Sequence, residues 1–247
     1  STPSNSSAAS DVYKRQDTSL VVRTADISTG VTVNLIHDQM RTQVTYPGTI
    51  AEFGPEHFKP EDLLGFDHVH TGGLYLQNRL IGAISSLLKF AREHGITTSI
   101  DSQWDVSEQW NHLHDWLPDL DFFFCNEDEA LSITRSKTPE DACRILSGLT
   151  ACPVVKIGSQ GALFYQNQQV IRIPSTDIEI IDNTGAGDAF DAGFIYARIE
   201  KGMDLMEAIR FANGVAARSC LSVGGVNARS SFADVIQFLG EKVDDRD

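Results

Sequence analysis

The chain is poor in cysteine, methionine and tryptophan: its 247 residues carry four, three and three of them. The cysteines, Cys125, Cys143, Cys152 and Cys220, form no CxxC pair and are too few for a disulfide scaffold. That fits a reducing compartment, taken as the cytoplasm. Basic residues are scarce too, 20 Lys and Arg against 34 Asp and Glu, for a formal net charge of −14. The deficit argues against a broad nucleic-acid or anionic-membrane surface. It leaves room for a small anion pocket made of backbone N–H groups. No apolar run approaches the roughly 18–20 residues that span a bilayer. The nucleotide patterns GxxxxGK[ST] and strand-linked GxGxxG are both missing, and no internal repeat is visible.

What is present is enough to fold. Hydrophobic residues make up 41% and aromatic residues 9%, which excludes a fully disordered chain. The length suits one large domain or two small ones. Residues 1–10 are almost all Ser, Ala, Pro, Thr and Asn, with no basic start and no hydrophobic stretch. Residues 1–16 therefore read as a disordered tail or non-native segment, not a signal peptide. The first residue is Ser1, which suggests a processed chain or a fragment.

Short strand-like stretches at 20–23, 31–36 and 42–46 mix β-branched and polar residues, and Pro47-Gly48 closes them as a turn. Residues 17–48 are expected to form part of a small β flap or lid, and 49–247 an α/β domain. In that domain, strands are expected at 66–70, 96–100, 122–125 and 154–157, with a hairpin at 162–165 and 170–173. Helices are expected at 80–93, 106–113, 127–133, 139–146, 186–200, 205–217 and 232–239. Apolar strands alternating with amphipathic helices predict an open, mainly parallel sheet flanked by helices on both sides. Ligands of such sheets bind beyond the carboxyl ends of the strands.

One segment stands out: Asp182-Asn183-Thr184-Gly185-Ala186-Gly187-Asp188-Ala189-Phe190, between an extended stretch at 178–181 and a helix. Two glycines and an alanine leave backbone N–H groups uncovered where the helix dipole is positive, a cradle for a phosphoryl oxygen. Asp188, in the first turn, is placed to take a proton from a hydroxyl attacking phosphorus. A glycine-rich loop whose Asp merely caps a helix is the plainer alternative.

This segment closely resembles the C-terminal signature of the ribokinase-like, or pfkB, carbohydrate kinases. Asn126-Glu127-Asp128-Glu129 looks like that family's Asn-x-x-Glu element, although a helix cap with an acidic first turn has the same pattern. Residues 156–161, Lys-Ile-Gly-Ser-Gln-Gly, resemble its strand and glycine turn near the nucleotide. Asn213 and Gly214 lie in a helix like the one beside its adenine pocket, and Gly224-Gly225 resembles the loop over the base. Residues 17–243 follow the family pattern in order.

The resemblance implies a ribokinase-like fold and ATP-dependent phosphorylation of a sugar hydroxyl. Asp188 is then the general base, and the amides of Gly185, Ala186 and Gly187 form the anion hole. Asn126 and Glu129 serve Mg²⁺ through water. Lys156, Gly158, Gly161, Thr184, Asn213 and Gly225 border the nucleotide. Asp182 and Thr184 belong to a K⁺ site completed by the 225–230 loop. A homodimer through the β lid is expected, with no nucleic-acid or membrane partner.

Residues 101–105 and Trp110 resemble a family segment Asp-x-Asn-x-Arg with a following Trp, but Gln103 and Asp105 replace the Asn and Arg. Loss of the Arg favours a neutral substrate, a ketose or pentose such as fructose or ribose ahead of a nucleoside. A non-catalytic nucleotide-binding regulator of the same fold is the alternative class. Thr71-Gly72-Gly73 reads as cleft lining or a plain turn. His68, His70, His112 and His114 read as structural, and Trp104, Trp110 and Trp116 as packing, with Trp104 nearest the substrate. The family's Gly-Gly-x-x-x-Asn motif and its early substrate-binding Asp have no counterpart in the sequence. The expectation is of a chain short at its N-terminus and impaired in turnover.

Overall fold

The structure, a computed structural model, describes residues 17–37, 40–224 and 230–240. The expectations for residues 1–16 and for Gly225 lie outside the described residues.

Eight strands form two sheets among the described residues. β1 (Val31–His37) and β2 (Met40–Tyr46) pair antiparallel as a sheet of their own, the expected lid. The other six lie in sequence order: β3 (His68–Gly72), β4 (Thr97–Asp101), β5 (Phe122–Asn126), β6 (Pro153–Lys156), β7 (Ala162–Gln166) and β8 (Gln169–Ile173). β3 to β6 run parallel, and the β6–β7 and β7–β8 pairs are antiparallel. The helices are α1 (Thr49–Glu52), α2 (Ile84–Glu93), α3 (Leu113–Trp116), α4 (Glu127–Thr134), α5 (Pro139–Leu146), α6 (Ala186–Ile195), α7 (Leu205–Ser219) and α8 (Phe232–Phe238).

Strand pleating explains why an apolar run such as Phe122-Phe123-Phe124-Cys125 forms the centre of the sheet. Successive side chains point to opposite faces, so a strand buried on both sides needs apolar residues at every position. Phe123 and Cys125 join Ile100, Val155 and Leu163 in a core closed by Ile84 and Leu88 of α2, Ala130 of α4 and Leu146 of α5. Phe124, Val154, Ala162 and Phe164 face the other way, under Phe190 and Phe194 of α6 and Ile209 and Ala212 of α7. Each fully buried Phe or Leu contributes about 2–3 kcal/mol. Helices therefore cover both faces of the sheet, as expected.

Three expectations shift. Residues 20–23 form no strand, whereas the stretch at 178–181 lies outside the helices and sheets as a linker, held at Ile181 by a bond from its N–H to the Cys220 carbonyl (2.9 Å). The helix expected over 106–113 is a loop, with Glu108, Trp110 and His112 at φ of 54°, 52° and 67°. The cause is Asp105. Its buried carboxylate accepts the Ser107 N–H (2.9 Å) and the Trp110 N–H (2.8 Å), and so competes for backbone donors that a helix would use. The short helix α3 begins only after that loop. The helix expected to continue to residue 200 changes at Tyr196 into a π-type turn, Tyr196–Glu200.

Candidate active site

The carboxyl ends of the four parallel strands bring Gly72, Asp101, Asn126 and Lys156 to one rim of the sheet. Register aligns them: Gly72 pairs with Asp101, and Asn126 with Lys156. The glycine segment and α6 cross above this rim.

α6, like α1, α2 and α3, starts without a side-chain cap, and it alone of these four carries the glycine segment. Side chains cap α4 (Asn126), α5 (Thr138), α7 (Asp204) and α8 (Ser231). The N-cap of α6 is Gly185, at φ 75° with no side-chain cap. First-turn N–H groups have no acceptor inside their own helix, so this end is suited to an external anion. Asp188 does not cap the helix; it is exposed in the first turn. The Ala186 N–H reaches the Asn183 carbonyl at 3.2 Å, so one of the three expected anion-hole amides has an internal acceptor.

Asp182 ties the segment down. Its carboxylate accepts the Thr184 N–H and the Gly224 N–H, each at 2.9 Å, joining the glycine turn to the loop after α7. In that loop Ser222 Oγ is buried and, among the described residues, has no hydrogen-bond partner.

Asn126 and Glu129 meet in a capping box. Asn126 Oδ1 accepts the Glu129 N–H (2.9 Å), and Glu129 Oε2 accepts the Asn126 N–H (2.8 Å) and the Ser102 hydroxyl (3.3 Å). Burial raises the Glu129 carboxyl above its usual range, and the Asn126 N–H partly offsets this. No group of three or more His, Cys, Asp or Glu positioned to hold a metal occurs among the described residues. Two oxygen-bearing side chains at a strand end suit an ion that keeps its own waters, as Mg²⁺ does.

Several of the residues expected beside the nucleotide also make contacts within the chain. Asn213 is buried and donates to the carbonyls of Ile173 (3.0 Å) and Pro174 (3.3 Å), fastening α7 to the end of β8. Gly161 sits at φ 97°, and a Cβ there would meet the Ile173 carbonyl at 2.0 Å. Gly158 is open, with nothing within 4 Å of an added Cβ. Lys156 points its ammonium at carboxylates, 2.7 Å from Asp101 Oδ2 and 3.1 Å from Asp191 Oδ1. Asp191 was not singled out from the sequence. Its signal was a lone acid in the apolar run Ala189-Phe190-Asp191-Ala192-Gly193-Phe194.

Trp110 and Trp116 are buried, while Trp104 is exposed and stands edge-on to Trp110 at 5.6 Å. His68 and His70 both reach Ser99 Oγ, at 2.8 and 2.7 Å. Burial, aided by His70, lowers the His68 pKa to about 4.

Comparison with known proteins decides what this rim belongs to. The family model "pfkB family carbohydrate kinase" matches residues 16–231. The chain belongs to the pfkB carbohydrate kinase family. A relative named ATP-dependent ribose-1-phosphate kinase, from Halopiger xanaduensis, is 29% identical over 193 residues, covering 77% of this chain and 60% of that protein. The chain thus spans about 60% of the length of that relative. Among solved structures, a Burkholderia thailandensis nucleoside kinase in complex with inosine has a TM-score of 0.81 at 16% identity, covering 96% of this chain and 77% of that one. An Escherichia coli structure described as a putative ribokinase II with ATP and Mg²⁺ has a TM-score of 0.74 at 23% identity, covering 85% and 70%. For the pfkB chain described here these two likenesses establish the ribokinase-like fold.

Proposed function

We propose that this pfkB protein transfers the terminal phosphoryl group of ATP to a hydroxyl of a neutral sugar, with Asp188 as general base. The observation that carries the reading is the uncapped start of α6, with Asp188 exposed beside it above the carboxyl ends of β4–β6. A hydroxyl within reach of Asp188 gives up its proton as its oxygen attacks phosphorus, which contributes about 10²–10⁴ in rate. The amides of Gly185 and Gly187, with the α6 dipole, meet the negative charge that spreads over the equatorial phosphoryl oxygens. Asn126 and Glu129 would hold Mg²⁺ through its waters, and the ion, when bound, neutralises phosphate charge. Asp182, Thr184 and Ser222 are the described residues suited to K⁺.

Neutrality of the substrate rests on residues 103–105. Asp105 is turned inward to its own loop, and Gln103 carries no charge, so this segment offers no cation for a carboxylate or phosphate. The same feature admits a nucleoside, which is the second reading. A non-catalytic nucleotide-binding role is the third. A homodimer through the lid is part of the proposal, because Val31, Val33, Leu35, Val44 and Tyr46 are all exposed on that hairpin. A reducing, cytoplasmic setting agrees with four buried cysteines that are all free thiols.

The test is an ADP-release screen with ATP and Mg²⁺ across neutral ketoses, pentoses and nucleosides. Turnover with a ketose or pentose is expected. Turnover with nucleosides alone would select the second reading, and ATP binding without any turnover the third.

A further inference from the structure

Beneath the glycine turn lies a buried charged group that the proposed chemistry does not use. Lys156 ends β6, Asp101 ends β4, and Asp191 lies three residues beyond Asp188 on α6. Their side chains are 12%, 8% and 2% exposed. The ammonium is 2.7 Å from Asp101 Oδ2 and 3.1 and 3.2 Å from the two Asp191 oxygens. It passes over the Phe124 ring at 6.0 Å, spanning the central strand. A Cβ added to Gly187 would lie 3.4 Å from Nζ, so the ammonium sits close against the anion turn.

We propose that Lys156 is a positioning residue: together with Asp101 and Asp191 it locks the first turn of α6 onto the ends of β4 and β6, and so aims Asp188 and the glycine amides. The inference rests on the role given to Asp188 above. α6 needs such a lock because its N-cap and N2 residues are glycines and no side chain caps it. Bonds to two carboxylates occupy two of the three ammonium donors, which moves Lys156 from the nucleotide to the scaffold of the site.

Two carboxylates facing one ammonium would leave a net buried negative charge, an arrangement that a shared proton relieves. Asp101 has the shorter bond to Lys156 and also accepts the Gln103 N–H at 3.0 Å, so the charge rests there. Asp191, the less exposed of the two, holds the proton. Burial drives its carboxyl well above the usual range, while Lys156 overrides the burial of Asp101 and holds that carboxyl below it. Charged or titratable groups facing the trio are His70 from β3, Cys125 from β5, Glu129 from α4 and Asp188 from α6.

The arrangement predicts an asymmetry between two chemically equal substitutions. Asp191→Asn imitates a protonated carboxyl, whereas Asp101→Asn removes the counter-charge of Lys156. In the 247-residue chain at pH 7, Asp191→Asn is expected to keep Tm within about 2 °C, and Asp101→Asn to lower it by about 5 °C or more. Equal losses in the two variants would overturn the shared-proton lock.

Positioning is read separately. Asp191→Ala should shift the Gly185 and Gly187 amide resonances and lower kcat about 10–100-fold, with KM for ATP changed less than about twofold. Asp191→Asn should restore both. A raised KM at unchanged kcat in Lys156→Met would instead make Lys156 a nucleotide contact. Unmoved glycine amides in Asp191→Ala would also overturn the proposal. Should Lys156→Met fail to fold, the Asp191→Ala and Asp191→Asn pair decides. A wild-type chain without turnover sinks the kinase reading alone, and the lock is then judged by Tm and the amide resonances.

Discussion

Asp188 and Asp191 are the same residue type, three positions apart on one helix, and their surroundings separate their work. Asp188 is exposed, as the proposed general base must be; Asp191 is buried against Lys156. Environment also sets the role of Gly161. At φ 97°, with the Ile173 carbonyl 2.0 Å from any Cβ, Gly161→Ala should cost about 2–4 kcal/mol, measured by urea unfolding. A loss under about 0.5 kcal/mol would show that the turn relaxes freely. His68 supplies a pH test. Its folded pKa, about 4, lies below the unfolded value of 6.5, so in that window the unfolded chain binds more protons. Its contribution to stability is therefore present above pH 6.5 and is lost as pH falls toward 4. Between pH 7 and pH 5 this amounts to about 1 kcal/mol after allowance for partial exposure. His68→Asn should shrink the difference, and an unchanged pH dependence in that variant would contradict the assignment.

At the scale of elements, legibility followed locality. The strand at 122–125 and the helices at 139–146 and 205–217 are plain in the sequence because their apolar spacing is decided within a few residues. The glycine segment is legible for the same reason, since its turn and helix start are contiguous. Apolar spacing predicts a helix over 106–113, and a loop forms there instead because the Asp105 carboxylate accepts two backbone N–H bonds. Asp105→Ala should release that loop, destabilise the chain by about 1–3 kcal/mol and alter Trp110 fluorescence. An unperturbed Trp110 signal would show that the loop holds itself. The Lys156 trio was not legible at all. It depends on which strand ends share a rim, and residues 101, 156 and 191 are joined only by sheet register and the crossing of α6.

For the whole molecule, a net charge of −14 and the proposed anion site are compatible because that site would rely on N–H groups and a helix dipole, not on a basic patch. The lid carries exposed apolar residues that join neither core, with Val33 51% and Val44 57% exposed. The two residues pair directly across the hairpin, which concentrates the patch. Light scattering should find a dimer for the wild type and a monomer for Val33→Lys, with Tm of the α/β domain little changed. A monomeric wild type would contradict the lid interface.

If Asp188 takes the hydroxyl proton during phosphoryl transfer, as proposed, Asp188→Asn removes that step and leaves the nucleotide site in place. Steady-state ADP release is measured with ATP, Mg²⁺ and the accepted sugar, alongside ATP binding by calorimetry. The expected result is a fall in kcat of about 10²–10⁴ with ATP affinity retained. A variant that turns over at the wild-type rate would contradict it.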